Sequence, residues 1–336
     1  MRFLRSSFLT TVKPTMLNVI RLAACCLIRY CFERMSVQKT ISLGPGATIA
    51  VVAPAGPAPK ERVEKGVVRL HSMGFETRIY GYSEGPRHYL AGSDAERARV
   101  FMEAYLDTAN DAVWCLRGGF GSARTLDHLD FDRLSGHIKP VIGFSDISAL
   151  LLTLTSRLRQ VSFHGPVVTQ MGDLAVSLCE QVLAVLDGSS TQLAFMDERK
   201  IYQPGSADGP LMGGNLSILC SLLGTNYFPD LKGSILFIED VGEPLYRLDR
   251  MLNQLRQSGV LSGVAGVALG DFGLQSPKDK NQAASLWNEL SSWIDGPVIS
   301  GLPCGHFEHN LCIPLGIEAR LDSQADHLLF LETVVQ

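Results

Sequence analysis

Pro140-Val-Ile-Gly-Phe-Ser-Asp-Ile-Ser-Ala-Leu-Leu-Leu-Thr-Leu154 changes its periodicity once, and that change decides the fold. Pro140, Val141 and Ile142 read as a short buried strand, whereas Ile147, Leu150, Leu151 and Leu154 recur at helical spacing, so the element type switches at Ser145. A sharp strand-to-helix turn lifts its central side chain clear of the sheet. The helix amino terminus beneath it offers unpaired N–H groups and positive dipole character, which suit a developing oxyanion. These are the physical requirements of a nucleophile elbow, although Ile147 stands where G-x-S-x-G has its second glycine. Ser145 or Asp146 serves equally well as a plain helix cap, and the local pattern does not separate the two readings.

The strands on either side share this logic. Ala47 to Ala53 is a continuous apolar run of the kind buried on both faces of a parallel sheet. A helix with Val63, Val67 and Leu70 on one face follows and stops at Gly74, and Thr77 to Tyr80 gives a second strand. Ser93 to Glu96 form a capping box for a helix through Tyr105, and Ala112 to Leu116 form a strand that feeds Arg117-Gly-Gly-Phe-Gly-Ser-Ala-Arg124. Strands alternating with helices predict a doubly wound α/β domain with a mainly parallel sheet, whose ligand groups gather beyond the carboxyl ends of the strands. Val161-Ser-Phe-His-Gly-Pro166 closes that domain over 45–170, and 171–207 reads as a linker. A smaller α/β domain is expected over 208–336. There Asn215 caps an apolar helix, Ser234 to Ile238 form a strand ending at Glu239-Asp240, and Leu245, Leu248, Leu252 and Leu255 stripe a helix ended by Gly259.

Composition narrows the function classes. The chain has 336 residues, 46% hydrophobic and 19% charged, which is globular and long enough for two domains. A net charge of −4 without a basic stripe argues against a nucleic-acid partner. The 8 cysteines form no C-x-x-C and no regular framework, as expected of free thiols in a reducing compartment. The start of the chain differs: Arg2, Arg5, Lys13, Arg21, Arg29 and Arg34 face one acid, Glu33. Residues 1–44 read as an amino-terminal extension, disordered or lying upstream of a natural start at Met35. Leu22-Ala-Ala-Cys25 imitates a lipoprotein cleavage site but follows Arg21 directly, and the apolar run to Phe32 is broken by Arg29, so no membrane span is expected. A genuine signal there would place the protein in the periplasm; otherwise the cytoplasm is expected.

A serine nucleophile needs a base, and the base needs a partner that fixes its tautomer. His306 lies on the loop Leu302-Pro-Cys-Gly-His-Phe-Glu-His-Asn310, and Glu239 ends a buried strand where a carboxylate must find a partner. A solvated carboxylate and an ordinary loop histidine fit those positions too. Arg117-Gly-Gly-Phe-Gly lacks the spacing of a phosphate loop; its N–H groups suit a tight turn or, with the N–H of Asp146, an oxyanion hole. His306 and His309 lack an identifiable third ligand, so no metal and no cofactor are expected. Arg247 and Arg250 lie near Glu239 in sequence and could hold a substrate carboxylate, though helix-surface pairing is their commoner use. His164 reads as structural.

Seven short motifs in order carry a resemblance: Val51-Val-Ala-Pro-Ala-Gly56, Arg117-Gly-Gly-Phe-Gly121, Ile142-Gly-Phe-Ser-Asp-Ile-Ser148, Phe163-His-Gly-Pro166, Met212-Gly-Gly-Asn-Leu216, Ile238-Glu-Asp-Val-Gly-Glu243 with Tyr246-Arg-Leu-Asp-Arg250, and Gly305-His306. From Ala47 to Leu331 the chain resembles the LD-carboxypeptidases of peptidase family S66, relatives of the microcin C immunity peptidases. The resemblance implies a Ser145, Glu239, His306 triad, oxyanion donors at the backbone of Gly119 and Asp146, and a cleft between the two domains. It also implies hydrolysis of the meso-diaminopimelate to D-alanine amide of murein tetrapeptides in cytoplasmic wall recycling, and possible homodimers. An aminoacyl-nucleotide amide as substrate, or a non-catalytic ligand-binding module, are the alternatives.

Overall fold

The computed structural model describes residues 37–81 and 89–336, so the extension as far as residue 36 lies outside the described residues. Among them the strands form two sheets. The first is built from β1 (Thr48–Val52), β2 (Glu76–Ile79), β3 (Ala112–Cys115), β4 (Val141–Gly143) and β5 (Ser162–His164), all paired in parallel in the order β2-β1-β3-β4-β5. Helices α1 (Lys60–Ser72) and α2 (Asp94–Leu106) make the crossovers, and Ser93 caps α2 by accepting the N–H of Glu96 as the capping box predicts. The strand order reverses between β1 and β3. Parallel sheets bind ligands beyond the strand ends at such a reversal, and the loops after β1, β3 and β4 all lie at that end.

Every residue of β3 and β4 is buried, as the unbroken apolar runs require. After β4, a 3-10 turn over Ser145–Ile147 leads into α3 (Ser148–Leu158), whose residues 148–155 are all buried. Helix α4 (Val176–Leu186) then leads to the second sheet.

That sheet has the order β6-β14-β13-β8-β9-β10-β11-β7. Strands β6 (Gln192–Ala194) and β7 (Ile201–Gln203) sit at its two edges, and its parallel centre is β8 (Ser206–Asn215), β9 (Ile235–Glu239), β10 (Gly266–Leu269) and β11 (Val298–Ser300). Strand β13 (Glu318–Asp322) adds antiparallel to β8, and β14 (His327–Phe330) adds antiparallel to β13. Between β11 and β13 the chain crosses back, and β12 (Ile313–Leu315) adds antiparallel to β5 of the first sheet. Residues 37–44 run against this body: Leu43 is buried and its N–H donates to Leu186 O at 3.0 Å. Helices α5 (Leu216–Leu222), α6 (Leu245–Gln257) and α7 (Pro277–Ser291) complete the layer. Asn215 caps α5 by accepting from the N–H of Ile218, and Leu248, Met251, Leu252 and Leu255 form the buried stripe of α6.

The glycine pair in Met212-Gly-Gly-Asn215 is explained by packing. Gly213 has φ +144°, and a Cβ there would stand 1.9 Å from the carbonyl oxygen of Phe237 on β9. Backbone approaches that close tolerate no side chain. Gly213→Ala is expected to cost about 3 kcal/mol, the range of a strained backbone position combined with an overpacked core. Urea unfolding of the purified chain measures this, and an unchanged midpoint would refute it.

Candidate active site

Ser145 is one of two non-glycine residues with positive φ among the described residues, at +62°. Left-handed backbone at a serine is uncommon and strained; here β4 and α3 hold it from both sides, so the side chain projects from the sharp turn. The neighbouring loop leaves it no slack: a Cβ on Gly118 would come within 3.0 Å of Ser145 Cβ and 3.3 Å of its Oγ. The glycine loop therefore seats directly against the serine.

Three distant residues converge there. His306 Nε2 lies 2.9 Å from Ser145 Oγ, and its Nδ1 lies 2.9 Å from Glu239 Oε2. Ser145 follows β4 of the first sheet, Glu239 ends β9 of the second, and His306 sits on the loop between β11 and β12. With Nδ1–H donating to the carboxylate, the Nε2 lone pair is free to accept the serine O–H. Glu239 is fully buried, whereas His306 keeps 21% of its side chain exposed. Both ring nitrogens of His306 face Ser145 and Glu239, and among the described residues no group of three or more ligating side chains suited to a metal ion occurs.

The loop carrying His306 is tied at both ends. Gly305 N–H donates to Asn310 Oδ1 at 3.1 Å, Asn310 Nδ2 donates to Gln170 Oε1 at 3.1 Å, and Leu311 N–H donates to Pro303 O at 2.9 Å. Gly305 has φ +136°, with Asp271 Cβ only 3.0 Å from where its Cβ would stand. Asn310, fully buried, was quoted in the sequence only as part of the histidine loop; nothing in its local pattern marks it as the clamp.

Asp146 proves to be the anchor of the glycine loop. Its carboxylate accepts the N–H groups of Gly121 at 3.1 Å and Ser122 at 2.8 Å, and its carbonyl accepts the Ser122 hydroxyl. Asp146 N–H lies in the first turn of a helical segment, where no intrahelical acceptor exists. Gly119, with φ +104°, follows the glycine packed on Ser145, and Gly118 O accepts the N–H of Gly56 from the loop after β1. Behind these loops Arg97 of α2 is buried, donating to Pro54 O, to Gly121 O at 2.8 Å and to Gly92 O at 3.3 Å, and pairing with Asp94. Burial lowers its pKa while Asp94 opposes that shift, so the guanidinium stays charged and fastens three loops. The sequence reading missed Arg97, which resembles any other helix-surface arginine.

Arg247 is placed otherwise. It is half-exposed on α6, 3.4 Å from Glu243 and over the ring of Tyr246. A cavity of about 780 Å³ opens beside His306, lined also by Phe307, Glu308, His309, Gln170, Leu174 and Arg62. Arg62 and Lys65 both pair with Asp173 at its edge.

Comparison with known proteins agrees with this architecture. Residues 49–165 match the LD-carboxypeptidase N-terminal domain and residues 208–321 the LD-carboxypeptidase C-terminal domain. The chain belongs to the LD-carboxypeptidase family. A murein tetrapeptide carboxypeptidase of Pseudomonas aeruginosa is 36% identical over 287 residues, covering 82% of this chain and 92% of that one. The crystal structure of a muramoyltetrapeptide carboxypeptidase from Oxalobacter formigenes superposes with a TM-score of 0.72 at 33% identity, over 84% of this chain and 97% of that one. The microcin C7 self-immunity protein of Escherichia coli is a relative at lower identity, 26% identical over 83% of this chain and 92% of its own.

Asp146→Ala leaves two buried N–H groups of the glycine loop without an acceptor. The expected loss is about 2–6 kcal/mol, one desolvation penalty for each orphaned donor. Asp146→Asn, which keeps one carbonyl acceptor, should lose less. Chemical unfolding of the two variants gives the order, and equal stabilities would contradict the anchoring role.

Proposed function

We propose that the protein is a serine carboxypeptidase that removes the terminal D-alanine of murein tetrapeptides by cleaving its amide to the L-centre of meso-diaminopimelate. The observation that carries the reading is the unbroken chain Ser145 Oγ, His306, Glu239, with both links at 2.9 Å. The murein tetrapeptide carboxypeptidase named among its relatives supports the substrate class.

Ser145 Oγ attacks the scissile carbonyl carbon while His306 Nε2 takes its proton; Glu239 accepts from Nδ1–H and stabilises the imidazolium. The carbonyl oxygen becomes an oxyanion, received by the N–H groups of Gly119 and Asp146, each worth about 10²–10³ in rate if typical of such donors. On collapse the C–N bond breaks, and His306 returns the proton to the departing D-alanine amine. Water, deprotonated by His306, then hydrolyses the acyl-serine and frees the tripeptide. No step calls for a metal or cofactor. The cavity that His306 lines gives the peptide a place beside the general base, and the site would lie in a cleft between the two domains. Arg247 would have to leave Glu243 to receive a substrate carboxylate.

The same reading places the enzyme in the cytoplasm, acting on tetrapeptides released by wall turnover, and allows it to form a homodimer. The cysteines among the described residues are unpaired and buried, which suits a reducing compartment. No helix among the described residues is long and apolar enough to cross a membrane. A second reading, cleavage of an aminoacyl-nucleotide amide, has its support in the Escherichia coli self-immunity relative.

Ser145→Ala is expected to lower D-alanine release at least about 10³-fold with the fold intact, the scale for loss of a triad nucleophile. EDTA should leave the wild type unchanged. Mass spectrometry of a murein tetrapeptide and of an aminoacyl sulfamoyl nucleoside, incubated side by side, checks both points. Chelator-sensitive turnover, or cleavage of the nucleoside alone, would defeat the reading.

A further inference from the structure

His164 ends β5, one strand from the nucleophile: it pairs with Gly143 on β4, and the next residue, Gly165, donates its N–H to Gly143 O at 2.9 Å. Its imidazole is fully buried between the rings of Phe144, at 5.9 Å, and Phe237, at 5.1 Å. Neither ring nitrogen has a hydrogen-bond partner. Nor has Glu239 Oε1, the carboxylate oxygen that does not face His306, and it lies 3.9 Å from His164 Nε2.

Two unsatisfied buried groups of complementary chemistry facing each other ask for an explanation. The separation is too short for an intervening water and longer than a hydrogen bond, so the two groups face each other without bonding here; a shared shift of about 0.4 Å would bring them to the outer hydrogen-bond limit, small enough to leave the contact to His306 intact. No other cation serves: among the described residues, the ion-pair partners of Glu239 within 4.0 Å are His164 and His306, while Asp240 and Asp271, whose carboxyl pKa values burial raises, flank it with like charge. Burial also lowers His164 to a pKa of about 4, so at neutral pH it is uncharged and carries one N–H.

We propose that His164 is a positioning residue of the triad: its Nε2–H holds Glu239 Oε1 and so fixes the carboxylate plane in which Oε2 grips His306. This role rests on the serine-hydrolase reading above. It gives the first sheet a direct hold on the acid, which Ser145 reaches only through His306. When His306 takes the proton from Ser145, the carboxylate must stay aligned with Nδ1–H. A carboxylate held at one oxygen only can swing about its side-chain torsion, whereas one held at both cannot.

The test uses the full chain with His164→Phe, which keeps a ring between Phe144 and Phe237 but removes the N–H, and His164→Gln, whose amide N–H can reach the same oxygen. His164→Phe is expected to lower kcat roughly 10- to 100-fold, the scale of one hydrogen bond to a charged group, with KM within about twofold; His164→Gln should regain most of that loss. In the wild type, nitrogen-15 NMR of labelled histidine should show His164 neutral and protonated on Nε2, a reading that does not depend on the variants folding. A His164 protonated on Nδ1 alone, a wild-type kcat in His164→Phe, or equal losses in both variants would overturn the proposal. Fluorophosphonate labelling of wild-type Ser145 runs alongside. If Ser145 fails to label, it is the serine reading that falls; if it labels and His164→Phe keeps full kcat, the positioning role alone is lost.

Discussion

One imidazole joins the two sheets chemically. His306 touches Ser145 on one side and Glu239 on the other, and a displacement of either partner by one ångström would break a 2.9 Å contact. The relative placement of the sheets is therefore the constraint on which the site depends, and several contacts around the elbow enforce it. Asn215 N–H, at the end of β8, donates to Ser148 Oγ at the start of α3 at 3.1 Å. Gly214 is glycine because a Cβ there would come within 2.6 Å of that same hydroxyl. Asn310 ties the histidine loop to Gln170, and β12 threads the carboxyl-terminal part of the chain into the first sheet beside His164.

The acid end of the site illustrates how buried charge is made tolerable. Glu239 and Asp240 are adjacent and both buried, an arrangement that costs several kcal/mol per ion unless each carboxylate is paired or well hydrogen-bonded. Asp240 turns away from the histidines and accepts from Asn215 Nδ2, Ser217 N–H and Val241 N–H, so it fixes the entry to α5. Glu239 turns towards them. Alternation along the chain sends these two neighbours in opposite directions, which lets one strand end serve both the architecture and the chemistry.

Periodicity made the first sheet legible in the sequence, because its central strands β1, β3 and β4 are short apolar runs and its helices carry clear stop signals. Strand β8 was not legible. Ser206-Ala-Asp-Gly-Pro-Leu-Met-Gly-Gly-Asn215 contains three glycines and a proline, which hide a strand, and its pairing with β9 and β13 shows that those glycines are packing requirements. The return of β12 to the first sheet was equally hidden, since strand partners many residues apart leave no local trace. At the site, Ser145, Glu239 and His306 were each compatible with an ordinary structural role, and the sequence could join them only through the ordered motifs of a family. Asn310, Arg97 and the anchoring use of Asp146 were invisible for a common reason. Arg97 and Asp146 hold backbone groups of remote loops, and Asn310 joins the backbone of its own loop to the distant Gln170 side chain, pairings that carry no local sequence signature.

The elbow itself shows why a cap and a nucleophile look alike in sequence. Both need a small hydroxyl residue between a strand and a helix, and both rely on unpaired N–H groups in the first helical turn. What separates them is the direction of the side chain. A capping serine in extended backbone folds its oxygen back onto its own helix, whereas Ser145, at φ +62°, makes no such bond and sends its oxygen to His306. Asp146, next in the chain, turns its carboxylate to the glycine loop instead, so the N–H groups of this first turn are not covered by their own side chains. The left-handed conformation of Ser145, with Phe144 packed on His306 beside it, keeps the serine oxygen on the imidazole and away from the cap it resembles.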